Sequence, residues 1–137
     1  MYKFEDRGHV KRYYSQEKMD AIARMQGSSY RRYRELWDDP KIMDDVLEKP
    51  LEIMLELTSW CNYKCKMCDK AFVPEKDKVN ISVENVRNLV KNINEMKVAS
   101  LWVGAFSECL IHPQINLILD VLKDVDVLDF TLITNGS

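Results

Sequence analysis

A loop with three cysteines, placed directly after an apolar strand, constrains the fold of this chain more than any other feature. Residues 51–57 predict the strand, because apolar residues recur at every second position: Leu51, Ile53, Leu55 and Leu57. The loop that follows contains Cys61, Cys65 and Cys68, in the spacing C-x3-C-x2-C. Three thiols this close in sequence can surround one metal centre. The sequence therefore predicts a metal site at the end of a strand.

The number of cysteines in the loop bears on the kind of metal. A structural zinc site has four ligands, which usually come as two separated pairs. A four-iron cluster is normally held by four thiolates, one for each iron, so three thiolates leave one iron open for chemistry. A zinc site remains the alternative, with Cys109 or His112 as a distant fourth ligand.

Length and charge limit the possible functions. The 137 residues suit a single domain with a modest core, and the net charge of -2 gives no general electrostatic reason for nucleic-acid binding. We find no run of about 18 apolar residues and no apolar segment typical of a signal peptide at the N-terminus. Three of the four cysteines share one short loop, which favours metal binding in a reducing compartment. We expect a cytoplasmic protein that does not enter a membrane.

Residues 1–50 predict a charged, helical N-terminal extension. Its first helix, ending near Gly27, has a loose stripe of apolar residues: Val10, Tyr13, Tyr14, Ile22 and Met25. Ser28 or Ser29 is expected to cap a second helix, with aromatic residues Tyr30, Tyr33 and Trp37. A third helix is expected to begin at Pro40 and to end before Pro50, with an apolar face of Ile42, Met43, Val46 and Leu47.

Arginines alternate with the aromatic residues of the second predicted helix. Arg31, Arg32 and Arg34 resemble a phosphate-binding pattern, but nearby acidic residues partly offset their charge. We therefore interpret these arginines as a solvated helix face and expect no nucleic-acid partner.

Helices and strands are predicted to alternate after the cysteine loop. Residues 71–80 suggest a loop, and Ser82 is expected to cap a helix whose apolar face is Val83, Val86, Val90 and Ile93. A second strand is predicted at 99–103, a helix from Pro113, and a third strand at 128–134. This order favours a parallel sheet with crossover helices, an α/β fold. Such folds bind ligands at the carboxyl ends of their strands, where the cysteines lie.

The cysteine spacing after the first strand resembles that of the radical S-adenosylmethionine (SAM) enzymes. The segment 104–108 after the second strand resembles their Gly-Gly-Glu-type motif, although Ser107 stands where glycine is usual. The resemblance implies the first three strands and crossover helices of a partial radical-SAM-type (βα) barrel. It also implies a 4Fe-4S cluster on Cys61, Cys65 and Cys68 that cleaves SAM reductively. The resulting 5′-deoxyadenosyl radical would abstract hydrogen from an unknown peptide or small-molecule substrate.

The same resemblance implies which residues contact SAM. Glu108 is expected to accept the SAM amino group, with Gly104 and Ser107 in the same segment. Met67 stands at the position that contacts adenine, where an aromatic residue is common, and Asn135 follows the third strand. Cys109, where proline is usual, is expected to be a buried and inert thiol. An external electron donor such as a flavodoxin or a ferredoxin is implied as well.

The chain supplies fewer strands than the barrel of this family. We therefore predict a helical extension at 1–50 and the N-terminal half of a radical SAM barrel at 51–137, and we expect the third strand to be an exposed edge. Two other functions remain open. One is a non-catalytic zinc module, and the other is a helical module that binds a partner through its Tyr/Arg/Trp segment.

Overall fold

The computed structural model of the protein describes residues 16–39 and 47–137, and the chain divides into two compact units after Asp38. In the first unit, α1 spans Gln16–Gln26 and α2 spans Ser28–Asp38. Gly27 separates them with a φ of 84°, a conformation that glycine adopts without strain. The predicted helix boundary at this glycine is therefore confirmed. The predicted helix after Pro40 and the residues Val10, Tyr13 and Tyr14 lie outside the described residues.

Aromatic side chains pack along α2, as its spacing predicts. Tyr30 and Tyr33 are buried, and their ring centroids lie 5.8 Å apart in an edge-on arrangement. The ring of Trp37 lies 6.4 Å from that of Tyr33. The guanidinium of Arg34 stands 5.7 Å from the centroid of Tyr33, so this arginine packs on an aromatic face.

The second unit is built on a parallel sheet of three strands in the order β1-β2-β3. Its elements alternate along the chain: β1 Glu52–Leu55, α3 Val83–Met96, β2 Ser100–Val103, α4 Ile115–Leu122 and β3 Asp129–Leu132. The predicted α/β class and the parallel sheet are confirmed. In the part of the chain that the structure describes, the sheet is open and does not close into a barrel.

The helix α3 shows how local sequence sets the ends of an element. The Ser82 hydroxyl accepts a hydrogen bond from the Asn85 N–H at 3.1 Å, which satisfies one of the free donors of the first turn. Lys97 ends the helix in a left-handed conformation, with φ 53°. Three apolar residues at helical spacing are buried: Val86, Val90 and Ile93. The predicted cap and apolar face are both confirmed.

The two crossover helices cover one face of the sheet. Leu57, Leu101 and Val103 are fully buried in the cluster that contains the buried residues of α3 and α4. Phe130 and Leu132 of β3 pair in register with Leu101 and Val103, yet they are 44% and 37% exposed. The described residues therefore cover the apolar face of β3 only in part.

The observed strands are shorter than the predicted ones. β1 ends at Leu55, although the alternating pattern extends to Leu57, and β3 ends at Leu132. The backbone beyond β1 still makes a hydrogen bond, but to a residue shortly before α3: Ile81 N–H donates to the Leu57 carbonyl at 2.9 Å. The predicted loop after residue 71 also contains short 3-10 turns.

Gly104 ends β2 at a place where no side chain fits. Its φ is 77°, and a Cβ built there would lie 2.8 Å from the Ile133 carbonyl oxygen and 3.2 Å from Cys109 Sγ. Gly136 has a similar φ of 72° but has no atom within 4 Å of the added Cβ. A side chain at Gly136 would therefore cause backbone strain alone, whereas a side chain at Gly104 would cause both backbone strain and steric overlap.

We expect Gly104→Ala to lower the free energy of unfolding by about 2–4 kcal/mol, because strain and overlap add. Gly136→Ala should cost only about 1 kcal/mol, from the backbone conformation alone. Urea unfolding followed by circular dichroism measures both. Equal losses in the two variants would contradict the close contact with Ile133.

None of the described helices combines the length and the apolar character needed to cross a membrane.

Candidate functional site

The cysteines lie on a long loop whose two ends are joined by hydrogen bonds. We call residues 58–80 the cysteine loop. Ser59 N–H donates to the Val79 carbonyl at 2.9 Å, and Val79 N–H donates to the Ser59 hydroxyl at 2.7 Å. The Lys78 ammonium lies 4.6 Å from the centroid of the Trp60 ring. The base of the loop is therefore fixed by the protein itself, and the three thiols lie on a closed segment at the carboxyl end of β1.

The three cysteines of the cysteine loop are free thiols, and none of them is fully buried. Cys65 is exposed, whereas Cys61 and Cys68 are half-buried. Cys68 N–H donates to the Cys65 carbonyl at 3.0 Å, and the Cys68 thiol lies 3.7 Å from the Phe106 carbonyl oxygen. Within residues 16–39 and 47–137, no three His, Cys, Asp or Glu side chains converge closely enough to hold a metal ion.

The loop after β2 is held against the end of β1 by Glu56. One carboxylate oxygen of Glu56 accepts a hydrogen bond from Phe106 N–H at 2.8 Å, and the other contacts the Ser107 hydroxyl. The same hydroxyl contacts the Thr58 carbonyl. Glu56 lies between Leu55 and Leu57 in the alternating segment and therefore projects from the face opposite the leucines. Its hydrogen bonds to Phe106 and Ser107 explain how that polar side chain is accommodated.

Glu108 joins the loops that follow all three strands. Its N–H donates to the Trp60 carbonyl at 3.1 Å. Its carboxylate accepts three hydrogen bonds, from Leu110 N–H at 3.0 Å, from the Thr134 hydroxyl at 2.8 Å and from Asn135 N–H at 2.7 Å. The residue is 1% exposed. A buried carboxylate with three donors is a strong connection between loops.

The pKa of Glu108 lies below its ordinary value. Burial acts to raise this pKa, but the hydrogen bonds from Asn135, Leu110 and Thr134 stabilise the carboxylate more than burial destabilises it. The unfolded chain lacks these donors, so the ionised form stabilises the folded state. This stabilisation is complete above the ordinary value of 4.5 and is lost as the pH falls from there through the lower folded pKa.

We therefore expect the free energy of unfolding to fall with acidification below pH 4.5, and to fall more steeply in the wild type than in Glu108→Gln. The amide cannot ionise, so this variant lacks the contribution of Glu108 at every pH. Urea titrations at a series of pH values measure both slopes. Parallel curves for the two proteins would show that Glu108 has the same pKa in the folded and unfolded states.

Asn135 connects the end of β3 to the cysteine loop. Its side-chain Nδ2 donates to Asn62 Oδ1 at 2.9 Å and lies 4.0 Å from Cys61 Sγ. Glu108 and Asn135, both predicted as site residues, are thus brought together with Cys61. Asn62 was not predicted from the sequence, because an asparagine beside a cysteine has no distinguishing pattern before the loop after β3 is placed.

The remaining predicted SAM contacts lie at the same edge of the sheet or on the cysteine loop. Ser107 and Gly104 lie in the loop after β2, with Gly104 N–H donating to the Leu55 carbonyl at 2.8 Å. Met67 is 88% exposed, so its thioether is free to contact a ligand. Their contacts with SAM stay predictions.

The two residues considered as a fourth zinc ligand are both engaged in the core. His112 is buried, and its Nδ1 accepts from Gln114 N–H at 3.0 Å, which leaves Nε2 to donate to the Ile81 carbonyl at 3.0 Å. The Cys109 thiol is buried and lies 3.2 Å from the Ile133 carbonyl oxygen. Burial, and next the charge of Glu108, raise the pKa of the Cys109 thiol. The expected burial of Cys109 is confirmed.

Comparisons with known proteins leave the family open. No protein-family model matches the chain, and no curated protein and no solved structure matches it.

The residues at this edge fit an iron–sulfur cluster and SAM in their chemistry. The three thiols lie on one loop, and two of them adjoin the neighbouring loops, Cys61 beside Asn135 and Cys68 beside Phe106. A carboxylate has about four lone-pair positions, and Glu108 uses three of them in internal hydrogen bonds. The fourth position, on Oε2, has no described donor, but Glu108 is 1% exposed, so an ammonium group would reach it only when the surrounding loops open.

Proposed function

We propose that this chain is the N-terminal half of a radical SAM enzyme, with Cys61, Cys65 and Cys68 as ligands of a 4Fe-4S cluster. The observation that supports this most is the position of the three thiols, on one closed loop at the carboxyl end of β1 and beside the loops after β2 and β3. Three thiolates leave one iron of such a cluster without a protein ligand. With SAM bound there, the cluster would supply a 5′-deoxyadenosyl radical for hydrogen abstraction from a substrate.

The chain's own residues would bind and orient the cofactors. Glu56 holds the loop after β2 in place through Phe106 and Ser107. Glu108 would offer its remaining lone pair to the SAM ammonium once the loops around it open, and the hydrogen bonds that lower its pKa keep it ionised despite its burial. Met67, Gly104, Ser107 and Asn135 would complete the SAM site.

The open sheet supports the proposal of a partial barrel. β3 has no neighbour on its outer side among the described strands, and its residues Phe130 and Leu132 are partly exposed. A further strand would pair with this edge, and a further helix would cover the apolar face. We propose that another part of a longer polypeptide supplies both.

Partners follow from the proposed chemistry. We propose a peptide or small-molecule substrate, an electron donor such as a flavodoxin or a ferredoxin, and a cytoplasmic location. Lysines flank the thiols at positions 64 and 66, and exposed cations near the metal site would favour an acidic donor protein. No nucleic-acid partner is proposed.

The proposal is tested by anaerobic reconstitution with iron and sulfide, followed by metal analysis and absorption spectroscopy. We expect a brown protein with about four irons per chain that is bleached by dithionite. Addition of SAM should change the spectrum of the reduced protein. A colourless protein that retains one zinc ion, unfolds with chelators and is indifferent to oxygen would reject the proposal and support the zinc module.

A further inference from the structure

Three polar side chains form a closed set of hydrogen bonds next to Cys61. We call Asn62, Asn135 and Ser137 the asparagine latch. Asn135 Nδ2 donates to Asn62 Oδ1 at 2.9 Å, and Asn62 Nδ2 contacts the Ser137 hydroxyl at 2.6 Å. The Ser137 hydroxyl lies 2.9 Å from Asn135 Oδ1, which closes the set. The latch thus joins the cysteine loop to the segment after β3.

A backbone donor fixes the orientation of both amides in the latch. Ser137 N–H donates to Asn135 Oδ1 at 3.1 Å, and a backbone N–H can only donate. The oxygen of Asn135 must therefore face Ser137, and its Nδ2 must face Asn62 and Cys61. Asn62 in turn has to present its oxygen to Asn135. Each amide has one consistent orientation.

The latch is anchored in the core by Glu108. The buried carboxylate accepts Asn135 N–H at 2.7 Å, so the backbone of Asn135 cannot shift without loss of a charge-assisted hydrogen bond. A continuous path of contacts therefore leads from Glu108 through Asn135 to Asn62, the residue that follows Cys61. Cys61 itself faces two N–H groups: Tyr63 N–H lies 3.4 Å from its sulfur, and Asn135 Nδ2 lies 4.0 Å from it.

We infer that the asparagine latch positions Cys61 as a metal ligand and that Asn135 tunes the bound centre through its N–H group. This inference rests on the proposed function in one respect, that the metal centre is an iron–sulfur cluster. Groups that orient a ligand commonly change metal affinity about 10- to 100-fold when they are removed. An N–H group near a ligand sulfur favours the more negative, reduced state, and so it raises the reduction potential. Asn62 and Asn135 are positioning residues in this arrangement.

The test compares variants of the full chain after reconstitution with iron and sulfide. Asn62→Ala and Asn135→Ala should each lose iron to an excess of a ferrous chelator about tenfold faster than the wild type. The double variant should lose iron no faster than Asn135→Ala, because Asn135→Ala already removes the contact with Asn62 together with the N–H group near Cys61. Asn135→Ala should also have a more negative midpoint potential in a dithionite titration. Asn62→Asp keeps the oxygen that accepts from Asn135 but loses the Nδ2 donor to Ser137, so it should lose iron more slowly than Asn62→Ala and faster than the wild type.

Asn94 offers a matched control away from the cysteines. Its Nδ2 donates to the Asp124 carbonyl at 2.9 Å and its Oδ1 accepts from Asp126 N–H at 2.8 Å, so it too joins two segments through both amide atoms. Asn94→Ala should lower stability but leave iron loss and the midpoint potential as in the wild type. Equal acceleration in Asn94→Ala, or wild-type iron loss in both latch variants, would overturn the inference.

The outcomes separate this inference from the proposed function. If the wild type holds zinc and no iron, the proposed function fails, and the same variants are then compared for zinc loss to a chromophoric chelator. Faster zinc loss in the latch variants, but not in Asn94→Ala, would still support positioning of Cys61. Unchanged zinc loss would overturn it, and a wild type that holds neither metal would reject both proposals.

Discussion

Replacement of Cys65 by alanine should abolish cluster binding, whereas replacement of Cys109 should leave it intact. Cys65 is exposed on the cysteine loop and makes no described contact through its sulfur that would compete with a metal. A four-iron cluster already short of one protein thiolate cannot be held by the two that remain. We therefore expect iron content after reconstitution to fall from about four per chain to near zero in Cys65→Ala.

Cys109→Ala is the matched control because it removes a thiol of the same chain without touching the cysteine loop. Its sulfur is fully buried against Ile133. The loss of one buried sulfur should cost about 1–2 kcal/mol of stability, which a folded protein usually tolerates. Iron analysis and the absorption spectrum measure both variants. Full iron in Cys65→Ala would reject the assignment of ligands, and loss of metal in folded Cys109→Ala would support the zinc module, with Cys109 as its fourth ligand.

The sequence predicted the sheet and the helices because their periodicity reflects burial. Val86, Val90 and Ile93 recur at helical spacing and are buried together, and Ser82 caps their helix as expected. Strand ends were less predictable. The alternating pattern continues through Leu57, but the backbone there pairs with Ile81 at the base of the cysteine loop instead of with β2. Periodicity reports which side of a segment is buried and does not identify its hydrogen-bond partner.

The connections within the candidate site could not be predicted, because they join segments far apart in sequence. The sequence indicated that Glu108 is important but not that its donors include Thr134 and Asn135 from the loop after β3. Asn62 was not singled out at all, since its role depends on the position of Asn135. Residue types and spacing suggest a ligand set, whereas the groups that orient those ligands become visible only when the loops are placed.

Replacement of Glu108 by glutamine should weaken SAM binding while the cluster is retained. The side chain keeps its size, but it loses the charge that an ammonium group would contact, and one of its amide hydrogens would face a backbone N–H donor. We expect a loss of about 2–4 kcal/mol in the free energy of unfolding, because three hydrogen bonds to a buried carboxylate are weakened. SAM affinity should fall about 10- to 100-fold, as for the loss of one charge-assisted hydrogen bond. Glu108→Ala should also retain the cluster and bind SAM more weakly, with a larger loss in the free energy of unfolding.

Thr134→Val tests whether the loss of SAM affinity in the Glu108 variants follows from lost charge or from lost stability. It removes the 2.8 Å hydrogen bond from the Thr134 hydroxyl to Glu108 and the one that this hydroxyl accepts from Gly136 N–H at 3.0 Å. It leaves the carboxylate charged and still bound to the backbone N–H groups of Leu110 and Asn135. Stability should fall by about 1 kcal/mol, and SAM affinity should stay close to that of the wild type. Titration of each reduced, reconstituted protein with SAM, followed by electron paramagnetic resonance, measures the affinities. If Glu108→Gln binds SAM as tightly as the wild type, Glu108 serves only to join the loops, because a residue that accepts the ammonium cannot lose its charge without loss of affinity.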